Sequence, residues 1–132
     1  MQYFVINVKT GSGVYTNAGH CYPLIFDKAV KTVRELDSTG LPLGIKRNLT
    51  LKNNEFILNN NEILVLYTDG SFEFTDNNNE KFKFDKLKEI LVDSYNDHAE
   101  VFYHNLYDSI SKRRIGELED DTTIVIVNWG QK

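Results

Sequence analysis

The chain has 132 residues, 41% of them hydrophobic, with 15 Lys and Arg against 19 Asp and Glu and a formal net charge of −4 at pH 7. That length suits one domain or a large part of one, and the apolar content supports a folded core, which excludes intrinsic disorder. The acidic balance, with no basic cluster longer than Lys112-Arg113-Arg114, argues against a nucleic-acid surface; the single cysteine, Cys21, cannot close an internal disulfide; and no apolar run reaches membrane-spanning length, so a reducing cytoplasm is the expected location.

Tyr3-Phe4-Val5-Ile6-Asn7-Val8 predicts a first strand with apolar residues on both faces. It has no polar lead-in, an abrupt start of the kind expected where upstream residues have been removed. Thr10-Gly11-Ser12-Gly13 is a glycine-rich turn, and Val14 to Ala18 returns as the second arm of a hairpin. Pro23 to Phe26 and Lys31 to Leu36 predict a second hairpin around Asp27-Lys28-Ala29, followed by the loop Ser38 to Gly44 with two glycines and a proline. Glu55 to Leu58, the polar turn Asn59-Asn60-Asn61 and the run Ile63 to Tyr67 read as a third hairpin.

Beyond Gly70 the period changes. Asp76 to Glu80 is a polar loop, but it lacks the sixth-position glycine and twelfth-position glutamate of a calcium loop, where Lys81 and Leu87 stand. Phe84, Leu87, Ile90 and Leu91 share one helical face, with Asp85 as the expected N-cap. Ala99, Phe102, Tyr103, Leu106 and Ile110 do the same in a second helix, with Asp97 and Glu100 as a capping box and Lys112 to Arg114 suiting its C-terminal dipole. The acidic stretch Glu117 to Asp121 leads into a last strand, Ile124-Val125-Ile126-Val127. About seven strands and two amphipathic helices place the chain in the antiparallel α+β class, as a single domain over residues 1–132.

One run has chemistry at its end. Ile63-Leu64-Val65-Leu66-Tyr67-Thr68-Asp69-Gly70 delivers a carboxylate onto a glycine where a buried strand stops, and a carboxylate there needs a hydrogen-bonding turn or a cation to offset its desolvation. If this strand pairs antiparallel with Ile124 to Val127, Asp69 and Asp120 share one edge of the sheet. Oxygen-only ligands favour a hard cation, Mg²⁺ or Mn²⁺. The plain alternatives are an Asp-Gly turn, a solvated acidic loop for Asp120 and Asp121 and especially for Glu117 and Glu119, a surface carboxylate for Glu73, and surface positions for His98 and His104.

Asn17-Ala18-Gly19-His20 with Pro23-Leu24, Gly40-Leu41-Pro42-Leu43-Gly44-Ile45, Tyr67-Thr68-Asp69-Gly70 with Glu73, and Asp120-Asp121-Thr122-Thr123 follow one another in a family order. Together they resemble the SpoIIE/RsbU branch of the metal-dependent type 2C protein serine/threonine phosphatases, covering the C-terminal portion of that catalytic domain. The resemblance implies an antiparallel β-sandwich flanked by helices and incomplete at the N-terminus, because nothing here matches the upstream Asp-Gly whose carboxylate bridges the family's two metal ions.

By the same resemblance Asp69 and Asp120 are ligands of one metal and Glu73 matches an acidic position tied to a weaker additional one. Asp121 stands where the wider family often has asparagine, so it is read as a neighbour. His20 departs from an aspartate of eukaryotic relatives and is read as structural, and Cys21 as a small buried apolar side chain. The implied activity is hydrolysis of phosphoserine or phosphothreonine by metal-activated water, without a phosphoenzyme, on a regulatory protein of the anti-sigma-factor antagonist type in bacterial signalling. The alternative is a non-catalytic module that binds a partner or self-associates. Without the bridging carboxylate, metal binding is expected to be weak, and uncovered apolar faces are expected to favour a homodimer or strand exchange through Tyr3 to Val8.

Overall fold

In a computed structural model of the chain, which describes residues 1–116 and 120–129, the apolar run becomes the strand β6 (Glu62–Tyr67), interior to a four-stranded antiparallel sheet. Its neighbours are β3 (Leu24–Asp27) and β7 (Ile124–Asn128), and β4 (Thr32–Glu35) lies beyond β3, giving the order β4-β3-β6-β7. A second antiparallel sheet holds β1 (Gln2–Ile6), β2 (Ser12–Asn17) and β5 (Asn54–Ile57) in the order β1-β2-β5. Two helices, α1 (Phe84–Ser94) and α2 (Ala99–Ser111), intervene between β6 and β7.

The unbroken hydrophobicity of β6 follows from burial on both faces. Ile63, Val65 and Tyr67 pack with Leu24 and Phe26 of β3 against Leu87, Ile90 and Leu91 of α1 and Phe102, Leu106 and Ile110 of α2. Leu64, with Ile25 of β3, faces Tyr15 and Phe56 of the other sheet, and Leu66 packs against the same cluster. The chain is therefore an α+β antiparallel sandwich with a helix pair covering the outer face of its larger sheet, as the sequence predicts. The outer face of the smaller sheet is open: Tyr3 and Val5 of β1 and Ile57 of β5 are all more than half exposed, at 65%, 55% and 58%.

The predicted third hairpin does not form. β5 pairs with β2 and β6 pairs with β3 and β7, so the turn at 58–61 carries the chain from one sheet to the other. Leu58 is buried and donates its amide to the Gly11 carbonyl (3.0 Å), while the buried Glu62 carboxylate accepts the Asn59 amide (2.8 Å) and the Arg34 guanidinium (3.2 Å). Gly11 and Arg34 are distant in sequence from the turn they hold, and they outweigh the local pattern.

Both predicted helix caps also move. α1 starts at Phe84 with Lys83 as its N-cap, so Asp85 lies in the first turn. α2 starts at Ala99 with His98 as its N-cap, because Asn96 Oδ1 already holds the His98 amide (2.9 Å) while Asp97 accepts the Tyr95 hydroxyl instead. Asp85 and Glu100 still place negative charge near the helix N-termini, where the dipole favours it. The Asp76 loop is a turn folded by Asp76 Oδ1, which accepts the amides of Asn78 (2.9 Å) and Glu80 (3.0 Å), and it is tied to the segment after α2 by Asn77, whose side-chain amide donates to the Lys112 carbonyl (3.0 Å).

Candidate metal centre

The β6–β7 register sets the site. Its last pair is Tyr67 with Ile124, so the residues after Tyr67 leave the sheet beside those that precede Ile124. Thr68 stitches the two segments: its amide donates to the Thr123 carbonyl (3.1 Å), and its hydroxyl donates to the Asp121 carbonyl (2.7 Å) while accepting the Thr123 amide (2.9 Å). The chain then turns tightly over Asp69–Ser71, and the Glu73 amide donates to the Asp69 carbonyl (2.8 Å), which stacks Glu73 one turn beyond Asp69. Asp69, Glu73, Asp120 and Asp121 are all exposed.

A third segment borders the same corner. Asn17, 3% exposed, folds the loop after β2 by accepting the His20 amide (2.9 Å) and donating to the carbonyls of His20 (3.0 Å) and Cys21 (3.4 Å). Gly19 has φ +68° and lies against the Pro42 ring, where no side chain fits, and the Gly40 amide donates to the Asn17 carbonyl (2.8 Å). Two motifs separated in sequence thus meet at one point. Beyond them the Cys21 thiol is pushed up in pKa, by its burial first and then by the charge of Asp69, with a lesser contribution from Glu73.

Asp69 and Glu73 are therefore brought together, and Asp120 is brought to the same corner by the backbone of its loop. Asp69 Oδ1 accepts its neighbouring Gly70 amide (3.1 Å) and Asp120 Oδ1 the Asp121 amide (2.7 Å); among the described residues none of the three carboxylates has an ion-pair partner. Exposed carboxylates on two adjoining loops, without an ion-pair partner among the described residues, are oxygen donors of the class a hard divalent cation takes. Among the described residues no group of three or more His, Cys, Asp or Glu side chains is placed so that it could hold a metal ion. Glu117 and Glu119, read above as solvated, lie outside the described residues. Cys21 is half-buried rather than buried, His20 is half-buried and held through its backbone, and His98 and His104 are exposed.

Sequence reasoning missed the side chains that tie the corner together. Arg114, taken only for its charge near the end of α2, donates from Nη2 to the Gly70 carbonyl and to Thr122 Oγ1 (3.1 Å). Tyr67 donates its buried hydroxyl to the Tyr22 carbonyl (2.8 Å), fixing the end of β6 to the segment that follows Cys21. A groove lined by Phe72, Phe74, Phe82, Phe84 and Lys81 opens beside Glu73.

The SpoIIE family model, described as stage II sporulation protein E, matches residues 1–130. The phosphoserine phosphatase RsbU of Bacillus subtilis is 27% identical over 127 residues, which are 96% of this chain and 38% of RsbU. Among solved structures, a manganese-presoaked phosphatase domain of the cell fate determinant SpoIIE from Bacillus subtilis superposes with a TM-score of 0.75 at 20% identity, covering 100% of this chain and 56% of that one. The SiaA-PP2C domain of Pseudomonas aeruginosa gives a TM-score of 0.78 at 18% identity over 95% of this chain and 49% of its own. The chain thus spans little more than a third of RsbU and about half of each solved domain. With the sandwich, its helix pair and the motif order all accounted for, the chain belongs to the SpoIIE family, within the SpoIIE/RsbU branch of the type 2C phosphatases.

Proposed function

We propose that this chain supplies Asp69, Asp120 and Glu73 to the metal site of a protein serine/threonine phosphatase. The observation that carries this reading is the pairing of β6 with β7, which seats the Asp69–Gly70 turn against the Asp120–Asp121 backbone at one edge of the sandwich. A Mn²⁺ or Mg²⁺ pair supplies a hydroxide at neutral pH and neutralises phosphate charge. The chain's own residues set where that chemistry occurs: Thr68 fixes the two loops, the three carboxylates offer oxygen donors to solvent, and the aromatic groove beside Glu73 gives a phosphorylated segment a surface to lie on.

By its likeness to the phosphoserine phosphatase RsbU, the substrate is a phosphorylated regulatory protein of the anti-sigma-factor antagonist type. The second reading, a module that binds without catalysis, draws support from the incomplete cage among the described residues. One experiment separates them: hydrolysis of p-nitrophenyl phosphate with Mn²⁺ by the chain, by its Asp69→Asn variant, and by the longest natural protein that carries this chain with and without the same substitution. Hydrolysis that Asp69→Asn abolishes supports the phosphatase reading. Hydrolysis in none of them, or hydrolysis indifferent to Asp69→Asn, overturns it.

A further inference from the structure

We propose that Arg114 is a positioning residue of the metal site, clamping the turn after β6 to the loop before β7 so that Asp69 and Asp120 stay in register. The inference rests on the metal reading above. Arg114 follows α2 by three residues and is half-buried. Its Nη2 donates to the Gly70 carbonyl, the group next to Asp69, and to Thr122 Oγ1 (3.1 Å), two residues from Asp120; Thr122 Oγ1 in turn donates to the same Gly70 carbonyl (3.0 Å). The three groups close a triangle, and both lone pairs of the Gly70 oxygen are used.

The clamp is itself held. The guanidinium carbon lies 4.8 Å from the centroid of the Phe74 ring, and the Arg114 backbone bridges to Asp76. Nε is buried and has no hydrogen-bond partner among the described residues. The same placement sets a permanent positive charge at the junction of the Gly70 turn and the Thr122 loop. A carbonyl and a hydroxyl that each sit beside a candidate ligand are the kind of outer partner that orients a metal site.

The test is Mn²⁺ affinity, read by the loss of the free-ion electron paramagnetic resonance signal, together with the melting temperature of each variant. Arg114→Met keeps the apolar stem on Phe74 and removes every donor, and it should weaken Mn²⁺ binding roughly tenfold or more. Arg114→Lys retains a cation with several donors and should recover part of that loss. Leu106→Val, a core change in α2 far from the loops in sequence, should lower the melting temperature and leave Mn²⁺ affinity unchanged. Should Arg114→Met fail to fold, Arg114→Lys and Thr122→Val open the same triangle more gently and decide the matter.

Unchanged affinity in Arg114→Met, or a loss that Leu106→Val reproduces at equal melting temperature, overturns the inference. Asp69→Asn distinguishes the two levels. If it weakens Mn²⁺ while the Arg114 variants do not, only the clamp fails; if Asp69→Asn has no effect, or neither the chain nor the longest natural protein that carries it binds Mn²⁺, the metal reading fails and the clamp with it.

Discussion

Gly70 lies so close to the backbone of Asp121 that a β-carbon added to it would stand 2.6 Å from the Asp121 carbonyl oxygen. The glycine is needed for this approach and not for an unusual backbone angle, since it is absent from the positive-φ residues. Gly70→Ala is therefore expected to push the Asp69 turn away from the Asp120 loop, at a cost of about 1–3 kcal/mol in stability, the range for forcing extra volume into a packed site. Urea denaturation measures that loss, and a parallel Mn²⁺ titration should show weaker binding. A stable variant with unaltered Mn²⁺ affinity would mean that the close approach is incidental.

The Cys21 thiol reports on the same carboxylates. Burial and then Asp69 raise its pKa above the ordinary value of 9.0, a backbone hydrogen bond lowers it by less, and Glu73 adds the smallest rise. A raised thiol pKa means less thiolate at any given alkaline pH, so iodoacetamide should modify Cys21 more slowly than the same residue in the urea-unfolded chain, with its rate rising only at higher pH. Asp69→Asn and Glu73→Gln each remove a negative charge and should shift that rise back toward lower pH. A rate profile identical in all three proteins would place the carboxylates away from Cys21.

Asn17 is a buried amide whose bonds all serve the loop that faces the site. Asn17→Ala leaves the His20 amide and the His20 carbonyl to find other partners, while the Cys21 carbonyl keeps Gln2 Nε2, at about 2 kcal/mol. The loosening should be local: hydrogen exchange at the His20 amide should accelerate well beyond that of the Leu64 and Val65 amides, which lie in the middle of the larger sheet. Uniform acceleration across the chain would make Asn17 a general core residue instead.

Which of these features could be read from the sequence follows the range of the interactions involved. The Ile63 to Tyr67 strand was legible because burial on two faces leaves an unbroken apolar run, and its pairing with Ile124 to Val127 was legible because each run ends beside acidic and threonine residues. The helix faces were legible for the same reason of period. The corner at 58–61 was not, since a polar turn between two apolar segments looks alike whether the second segment returns along the first or crosses to another sheet; Leu58 and Gly11, far apart in sequence, decide it. Asp97 misled because it lies one place before the observed N-cap, a shift that shows only once Asn96 claims the His98 amide, and Asp85 because it lies two places after the N-cap Lys83, inside the first turn. Arg114 had a visible charge but no visible address, as its acceptor at Gly70 is 44 residues away.

The crossing at Glu62 makes the last prediction. Glu62 is buried, at 5% exposure, and gathers the Asn59 amide (2.8 Å), the Asn59 side-chain amide (3.1 Å) and the Arg34 guanidinium, whose Nη2 also donates to the Ile57 carbonyl (3.0 Å). Arg34 itself is half exposed, so water competes for it and the ion pair alone contributes little. The greater loss in Glu62→Ala is the Asn59 amide, left without its acceptor at the point where the chain changes sheets, and the expected cost is about 2 kcal/mol. Glu62→Gln retains an oxygen acceptor and should restore most of it, whereas Arg34→Met should cost less than Glu62→Ala. Chemical denaturation of the three variants checks the order, and an Arg34→Met loss as large as that of Glu62→Ala would show that the ion pair, and not the amide, holds the corner.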